Sequence, residues 1–564
     1  MARRARRAVV GAVVVVAVAL GATPAGASAA PWRTASALSG IAGLNAGGYA
    51  QVSALSCPPT GVCVGVGGYS VSASVTEAFV ATESGGVWGR ALSLPGFAAL
   101  NAGGQLGSSL SISCPAAGEC ALGGSYADAT GVAHAFLATE SGGVWGPAEE
   151  VPGIAALSSN ARASALTSVS CSSPGTCAAG GIVALSASDV EPWVDLETGG
   201  VWGPAELVPG MAALDVGQQG SVFSVSCASG GCAATGQYTD DDGATQVFVV
   251  AESAGVWSSA ETVPGPSGNV VPGQPLPPSI ACPSAGACSL AYDLKDVAGV
   301  EQAYVDTEVD GVWPAASLVS GVNSAAVGAF VLALSCAEPG QCAAVGAYGD
   351  GQKNAQAMVV DEVAGAWRPA IELPASGPLN AGGGAVLQSV DCYAVGDCVA
   401  GGVYTDATGF AQALVAGATG GVWGPAEELP GSATLNVGGD SDVSALSCTS
   451  AGGCAAGGYF SDGARHYQVL VDATAPLVVP SAPSVSLRGV GSSAVRLAVS
   501  APGASAPASE VEYALDGGSW RRGTGPAGEI VVSGLRPSTT YRIAVRLVDA
   551  RGAGHARRLT VRTR

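Results

Sequence analysis

Short runs of alternating apolar and polar residues, broken every few positions by Gly, Pro, Asp or Ser, fill most of this chain. One stretch shows the unit clearly. Leu110-Ser-Ile-Ser-Cys114 alternates, and Pro115 to Glu119 follow as a turn. Cys120 to Tyr126 reads as a second strand, with a loop from Ala127 to Gly131. Ala135 to Glu140 reads as a third strand, Ser141-Gly-Gly as a tight turn, and Val144 to Pro152 as a fourth strand. Period-two alternation punctuated by turn formers predicts an antiparallel meander.

The unit recurs. Sixteen cysteines fall into eight close pairs: Cys57 with Cys63, Cys114 with Cys120, Cys171 with Cys177, Cys227 with Cys232, Cys282 with Cys288, Cys336 with Cys342, Cys392 with Cys398 and Cys448 with Cys454. Their first members are spaced by 57, 57, 56, 55, 54, 56 and 56 residues, a tandem repeat of eight copies. Four antiparallel strands per copy resemble one blade of a β-propeller. Neither the Trp-Asp dipeptide of one propeller class nor the kelch pattern is present, so the blade family stays unassigned. An open β-solenoid is the competing architecture.

A tryptophan marks the fourth strand after each of the first seven pairs, at 88, 145, 202, 257, 313, 367 and 423. The eighth pair is followed by Gln468 to Asp472 and then Ala/Pro-rich sequence, with no such strand. Trp32 to Gly40 and Leu44 to Gly48 match Trp423 to Gly431 and Leu435 to Gly439. The N-terminus is therefore expected to supply the outer strand of the last copy, closing a ring and removing an exposed sheet edge. The expected fold class is all-β: an eight-bladed β-propeller over 30–472, closed by its N-terminal strand.

After a Pro/Ala-rich linker at 473–483, residues 484–564 resemble a fibronectin type III domain, a β-sandwich. The likeness rests on Val511 to Trp520 and on Gly534-Leu-Arg-Pro-Ser-Thr-Thr-Tyr541, where Tyr541 fits the tyrosine-corner position. The early-strand tryptophan of that family is absent. The resemblance implies a polysaccharide-active or wall-associated context, since such modules in secreted bacterial proteins accompany these roles.

Charge and cysteine usage set the compartment. Arg3, Arg4, Arg6 and Arg7 precede an apolar run from Val9 to Leu20, and Ala27-Ser-Ala29 offers a cleavage site, so residues 1–29 read as a signal peptide. An exported chain with paired cysteines is expected to carry disulfides, one per copy, joining the two members of each close pair. Residues 30–480 hold 38 acidic against 7 basic residues, a net of −31, whereas 481–564 carry twelve arginines against five acids. Such an acidic body repels nucleic acid and anionic membrane. The expected protein is a secreted, extracellular monomer whose partners are a glycan, a cell-surface molecule or a wall polymer, with no nucleic acid and no membrane insertion.

Chemistry is sparse. The three histidines share no motif with a nucleophile, and no zincin or phosphate-loop motif is present. Glu83, Glu140, Glu197, Glu252, Glu308 and Glu362 stand five residues before their tryptophans, a position suited to turn stabilisation. The candidate ligand face consists of loops between the second and third strands and of the connections between copies. Its residues are Tyr126 and Asp128, Asp189 and Glu191, Tyr238 with Asp240, Asp241 and Asp242, Asp293 and Asp296, Tyr348 and Asp350, Tyr404 and Asp406, and Asp462. Tyr459 and Asn45, Asn101, Asn380 and Asn436 recur beside them. No cofactor is expected; Ca²⁺ stays open for these oxygen-rich loops, which lack a complete EF-type spacing. The expected role is extracellular binding or scaffolding without catalysis. The alternative is a glycoside hydrolase or polysaccharide lyase, which needs a pair of carboxyls in differing environments.

Overall fold

The computed structural model describes residues 31–474, apart from 60, 158–162, 266–275, 297, 310, 316, 323–327 and 353. In the C-terminal part it describes 484–500, 510–516, 520–522, 529–549, 552–553 and 557–564. The proposed signal peptide and nearly all of the linker lie outside the described residues.

The chain is all-β, and each cysteine pair belongs to its own antiparallel sheet of four or five strands. Sheets are numbered in chain order by these pairs. Sheet 2, for example, runs Ser111–Ala116, Glu119–Ala127, Ala133–Ser141 and Val144–Trp145. Its expected fourth strand is split: Val144–Trp145 and Glu149–Glu150 pair separately with the third strand. Gly146 and Pro147 fall at the break, and proline has no N–H to give to a ladder. The turn before it places Gly142 at φ 58° and Gly143 at φ 78°. Both central residues of such a tight hairpin take positive φ, which glycine adopts without steric cost; in sheets 4 and 6 alanine holds the first position, Ala254 at φ 54° and Ala364 at φ 52°.

All eight close pairs are disulfides, as their spacing predicts, and each ties the hairpin of the first two strands of one sheet. Cys57 is bonded to Cys63, Cys114 to Cys120, Cys171 to Cys177 and Cys227 to Cys232. Cys282 is bonded to Cys288, Cys336 to Cys342, Cys392 to Cys398 and Cys448 to Cys454. No free cysteine is left among the described residues. The antiparallel ladder sets the partners opposite one another, as in Cys171 with Cys177, Cys227 with Cys232 and Cys336 with Cys342. The second member of each pair lies on the strand at the middle of its sheet. Cys63, Cys288 and Cys342 are accordingly only 2%, 2% and 4% exposed. Cys232, whose loop is one residue shorter, is half-buried.

The serine before the first cysteine then stitches sheet to sheet. Ser56 Oγ accepts from the Cys114 N–H at 2.9 Å, Ser113 from Cys171 at 3.0 Å, and Ser170 from Cys227 at 2.9 Å. Ser226 and Ser335 repeat this with Cys282 and Cys392. Ser447 returns to Cys57 at 3.0 Å, linking sheet 8 back to sheet 1. Asp391 takes the serine's place in sheet 7 and accepts from Cys448 N–H at 2.7 Å. These small polar residues thus bond each sheet to the next.

The tryptophans fill the gaps between sheets. Trp423 donates Nε1–H to Asp361 Oδ1 of the preceding sheet at 3.0 Å, Trp367 to Thr307 Oγ1 at 3.0 Å, and Trp88 to the Asp472 carbonyl at 3.1 Å. Trp32 packs among residues of sheets 7 and 8, as the others do in their own gaps. Ser36 and Ala37 pair antiparallel with Val471 and Leu470, so the N-terminal segment is the fourth strand of sheet 8. Single helical turns such as Phe97–Leu100, undetected in the sequence, plug the connections with one buried residue each.

The C-terminal segment forms two further antiparallel sheets around Val495, Leu497, Ile530, Val532, Ile543 and Val545. Tyr541 Oη accepts the Arg536 backbone N–H at 2.8 Å, the bond expected of a tyrosine corner.

Candidate functional site

Loops between second and third strands lie at one end of the sheets, together with the connections between sheets. Gly103 N–H, in a connection, donates to Ala127 O at 2.9 Å, and Asn101 Nδ2 donates to Thr76 O at 2.8 Å. Asn45, Asn380 and Asn436 make the equivalent bond. Disulfides and Gly-Gly turns occupy the opposite end, where Gly143 N–H meets Gly118 O.

Six of the expected ligand carboxylates are engaged in their own turns. Asp406 Oδ1 accepts from Thr408 N at 2.7 Å and Phe410 N at 3.1 Å, while Oδ2 accepts from Gln412 Nε2 at 2.9 Å. Asp128, Asp240, Asp296, Asp350 and Asp462 repeat this geometry, with His134, Gln246, Gln302, Gln356 and Gln468 as the sixth residue onward. Burial works against it, yet the bonds from Thr408 and Gln412 hold the Asp406 carboxyl at about 2. Asp128 is held low chiefly by the Thr130 hydroxyl.

The expected tyrosines lie against the outer edge of their own sheets. Tyr238 Oη meets Thr262 Oγ1 at 2.6 Å, and Tyr348 and Tyr404 donate to Glu372 and Glu428 at 3.0 and 3.1 Å. Tyr126 is buried against His134. Asp293 is not on the loop face at all: it is fully buried in its strand and accepts the Val331 N–H at 3.1 Å from sheet 6. Its neighbours Tyr292 and Leu294 are buried as well, so both faces of this strand are covered. Asp241 and Asp242 are exposed at a loop tip.

Two clusters do gather on this face. In one, Asp189 and Glu191 approach Asp215, which stands where other connections carry asparagine. Burial first, then Asp215 and Asp189, push the Glu191 carboxyl up to about 7.

The second cluster joins sheet 8 to the first connection, and sequence reading missed most of it. Asp440 accepts hydroxyl bonds from Tyr459 at 3.0 Å and Tyr467 at 2.9 Å, one on each oxygen. The Tyr467 ring stands edge-on to Tyr459 at 5.1 Å and to Tyr49 at 5.7 Å. Tyr49 is 41% exposed. Below them Asp442 is 7% exposed and accepts Tyr459 N–H at 3.3 Å. Burial, with Asp440 beside it, raises the Asp442 carboxyl to about 7. The three tyrosines thus stand around one hydroxyl-bonded carboxylate, with a buried carboxyl of raised pKa beneath it.

Among the described residues no group of three or more His, Cys, Asp or Glu is arranged to hold a metal ion. No helix among them is long and apolar enough to cross a membrane.

No protein-family model matches the chain, and no curated protein matches it. Solved structures similar to it include the β-propeller domain of the Trilobed protease from Pyrococcus furiosus, at 9% identity, 68% of this chain, 98% of that one and a TM-score of 0.37. A polysaccharide lyase of the ulvan lyase family PL25 is similar at 9% identity, covering 72% and 95%, with a TM-score of 0.39. A human fibronectin type III domain is similar over 15% of this chain and 86% of its own, at 22% identity and a TM-score of 0.13. The reading of the site rests on its own geometry.

Proposed function

We propose that the protein is a secreted, eight-bladed β-propeller with a C-terminal fibronectin type III module, and that it binds a glycan on its loop face. The observation that carries this reading is the Tyr49–Tyr459–Tyr467 surface around Asp440. Aromatic rings pack against the apolar faces of sugar rings, and fixed carboxylates accept sugar hydroxyls, the pairing of apolar wall and few polar groups that small-ligand sites use. Glu191, Asp189, Asp241 and Asp242 extend the same acidic face.

A second reading has one observation in its favour. Asp440 and Asp442 are neighbouring carboxyls in different environments, one of the features that acid–base cleavage of a glycosidic bond uses. A glycan array run beside hydrolysis assays on the mature protein separates the two. Saturable binding without product supports the binding protein; product release lost in the Asp442→Asn variant supports the enzyme; no binding to any glycan ends both.

The arginine-rich C-terminal module is proposed to dock on anionic wall polymer. Binding of the full chain to such polymer is expected to weaken steeply with salt, as screened surface charge does. Salt-independent binding would leave the module a spacer.

A further inference from the structure

On the disulfide face, away from the glycan site, a cavity of about 100 Å³ opens between sheets 2 and 3. Glu119, Glu140 and Glu197 line it, beside the Cys120, Cys171 and Cys177 half-cystines. Glu140 and Glu197 are only 6% and 3% exposed. Glu140 Oε2 and Glu197 Oε1 nevertheless have no hydrogen-bond partner. Burial, and then the charge of Glu119, push both carboxyls above their ordinary range. Leaving buried carboxylate oxygens unpaired is costly, and three acids in one cavity add mutual repulsion.

The repeat does not impose this arrangement. Between sheets 6 and 7 the equivalent cavity shrinks to about 30 Å³. Gln341 stands in place of Glu119 there, and Ala418 in place of Glu197. Glu362, the counterpart of Glu140, is satisfied by Ser289 Oγ at 3.0 Å and Thr307 Oγ1 at 2.7 Å. Elsewhere Glu83, Glu252 and Glu308 accept backbone N–H groups of their own sheets. The groove between sheets 2 and 3 therefore departs from a pattern that the same fold otherwise satisfies.

A ligand that matches this groove is cationic and reaches several carboxyls at once. The three acids do not converge tightly enough to form a metal group, and Ca²⁺ takes six to eight oxygens at short range. A planar guanidinium, with five N–H donors in a fixed fork, spans separated carboxylates and bonds them in pairs. We propose that this groove binds a guanidinium group, an arginine side chain presented by a protein or peptide partner.

Calorimetric titration of the full chain with N-acetyl-argininamide tests the site, with N-acetyl-lysinamide and CaCl₂ as comparison ligands. One saturable site is expected, weakened at least tenfold in the Glu140→Gln/Glu197→Gln variant and unchanged in Glu362→Gln. Should the double variant misfold, Glu119→Gln alters a half-exposed position and is expected to weaken binding alone. Absence of saturation, binding indifferent to these substitutions, or tighter binding of Ca²⁺ than of the arginine probe at the same residues would each overturn the assignment.

Discussion

Removing residues 31–42 is expected to destabilise sheet 8 severely and to make the protein aggregate. Ser36 and Ala37 pair with Val471 and Leu470, and further backbone bonds join Ala35 N–H to Pro430 O at 2.7 Å and Leu38 N–H to Val469 O at 3.1 Å. Leu38 and Ile41 are 3% and 1% exposed. Losing two such side chains costs about 1.5–3 kcal/mol each, and each lost backbone bond about 1 kcal/mol. The sum is on the order of 5–10 kcal/mol, the size of a whole domain's stability. The cut also strips the edge of Tyr467–Ala473, and an unpaired apolar edge invites intermolecular pairing. Thermal melting and size-exclusion chromatography check this against a deletion of 484–564, for which a far smaller change is expected. A truncated chain that melts with the intact protein and stays monomeric would mean that the N-terminal strand does not hold sheet 8 together.

The second large effect is on pH. Burial raises Asp195 to about 8, Glu191, Asp306 and Asp442 to about 7, and Asp472 to about 6. In the unfolded chain the same groups ionise near 4. Between those limits the native state keeps protons that the unfolded state releases, so stability falls as pH rises from about 4 towards 8. The turn aspartates act oppositely. Asp128, Asp350, Asp406 and Asp462 sit below their ordinary values, and their contribution is lost as pH falls below about 4. Maximum stability is thus expected near pH 5, with a Tm at pH 8 lower by about 5 °C or more. Asp195→Asn should raise the Tm at pH 8 while leaving pH 5 nearly unchanged. A Tm that is flat, or highest at pH 8, would contradict the burial of these carboxyls.

Much of the architecture was legible because the repeat carries its own rulers. Cysteine spacing marks the hairpin of each sheet, the tryptophan marks the outer strand, and Trp32 to Gly40 repeats Trp423 to Gly431 at the far end of the chain. Side-chain direction was harder to read. Tyr404 lies six residues after Cys398, but Tyr459 lies only five after Cys454. One step along a strand reverses the face. Phe460 therefore takes the buried place, at 5% exposed, and Tyr459 turns to Asp440. Counting from the cysteine would have separated them. The same count sets Asp293, five residues after Cys288, out of the row of Tyr126, Tyr238, Tyr348 and Tyr404, which lie six residues on. The turn aspartates carry a second unused signal, a Gln or His six residues on, which marks a closed hydrogen-bond set. Asp215 among asparagines, and the unpartnered Glu140 Oε2 and Glu197 Oε1 among paired glutamates, show only as side-chain contacts between sheets.

The glycan claim is tested most directly by hydrogen exchange of the full chain with and without the glycan selected on the array. Protection is expected in amides of 45–51, 440–442 and 459–467, with the Gly-Gly turns at 142–143 and 199–200 unchanged. Protection confined to the disulfide end, or spread evenly around the sheets, would contradict recognition at the Tyr49–Tyr459–Tyr467 face.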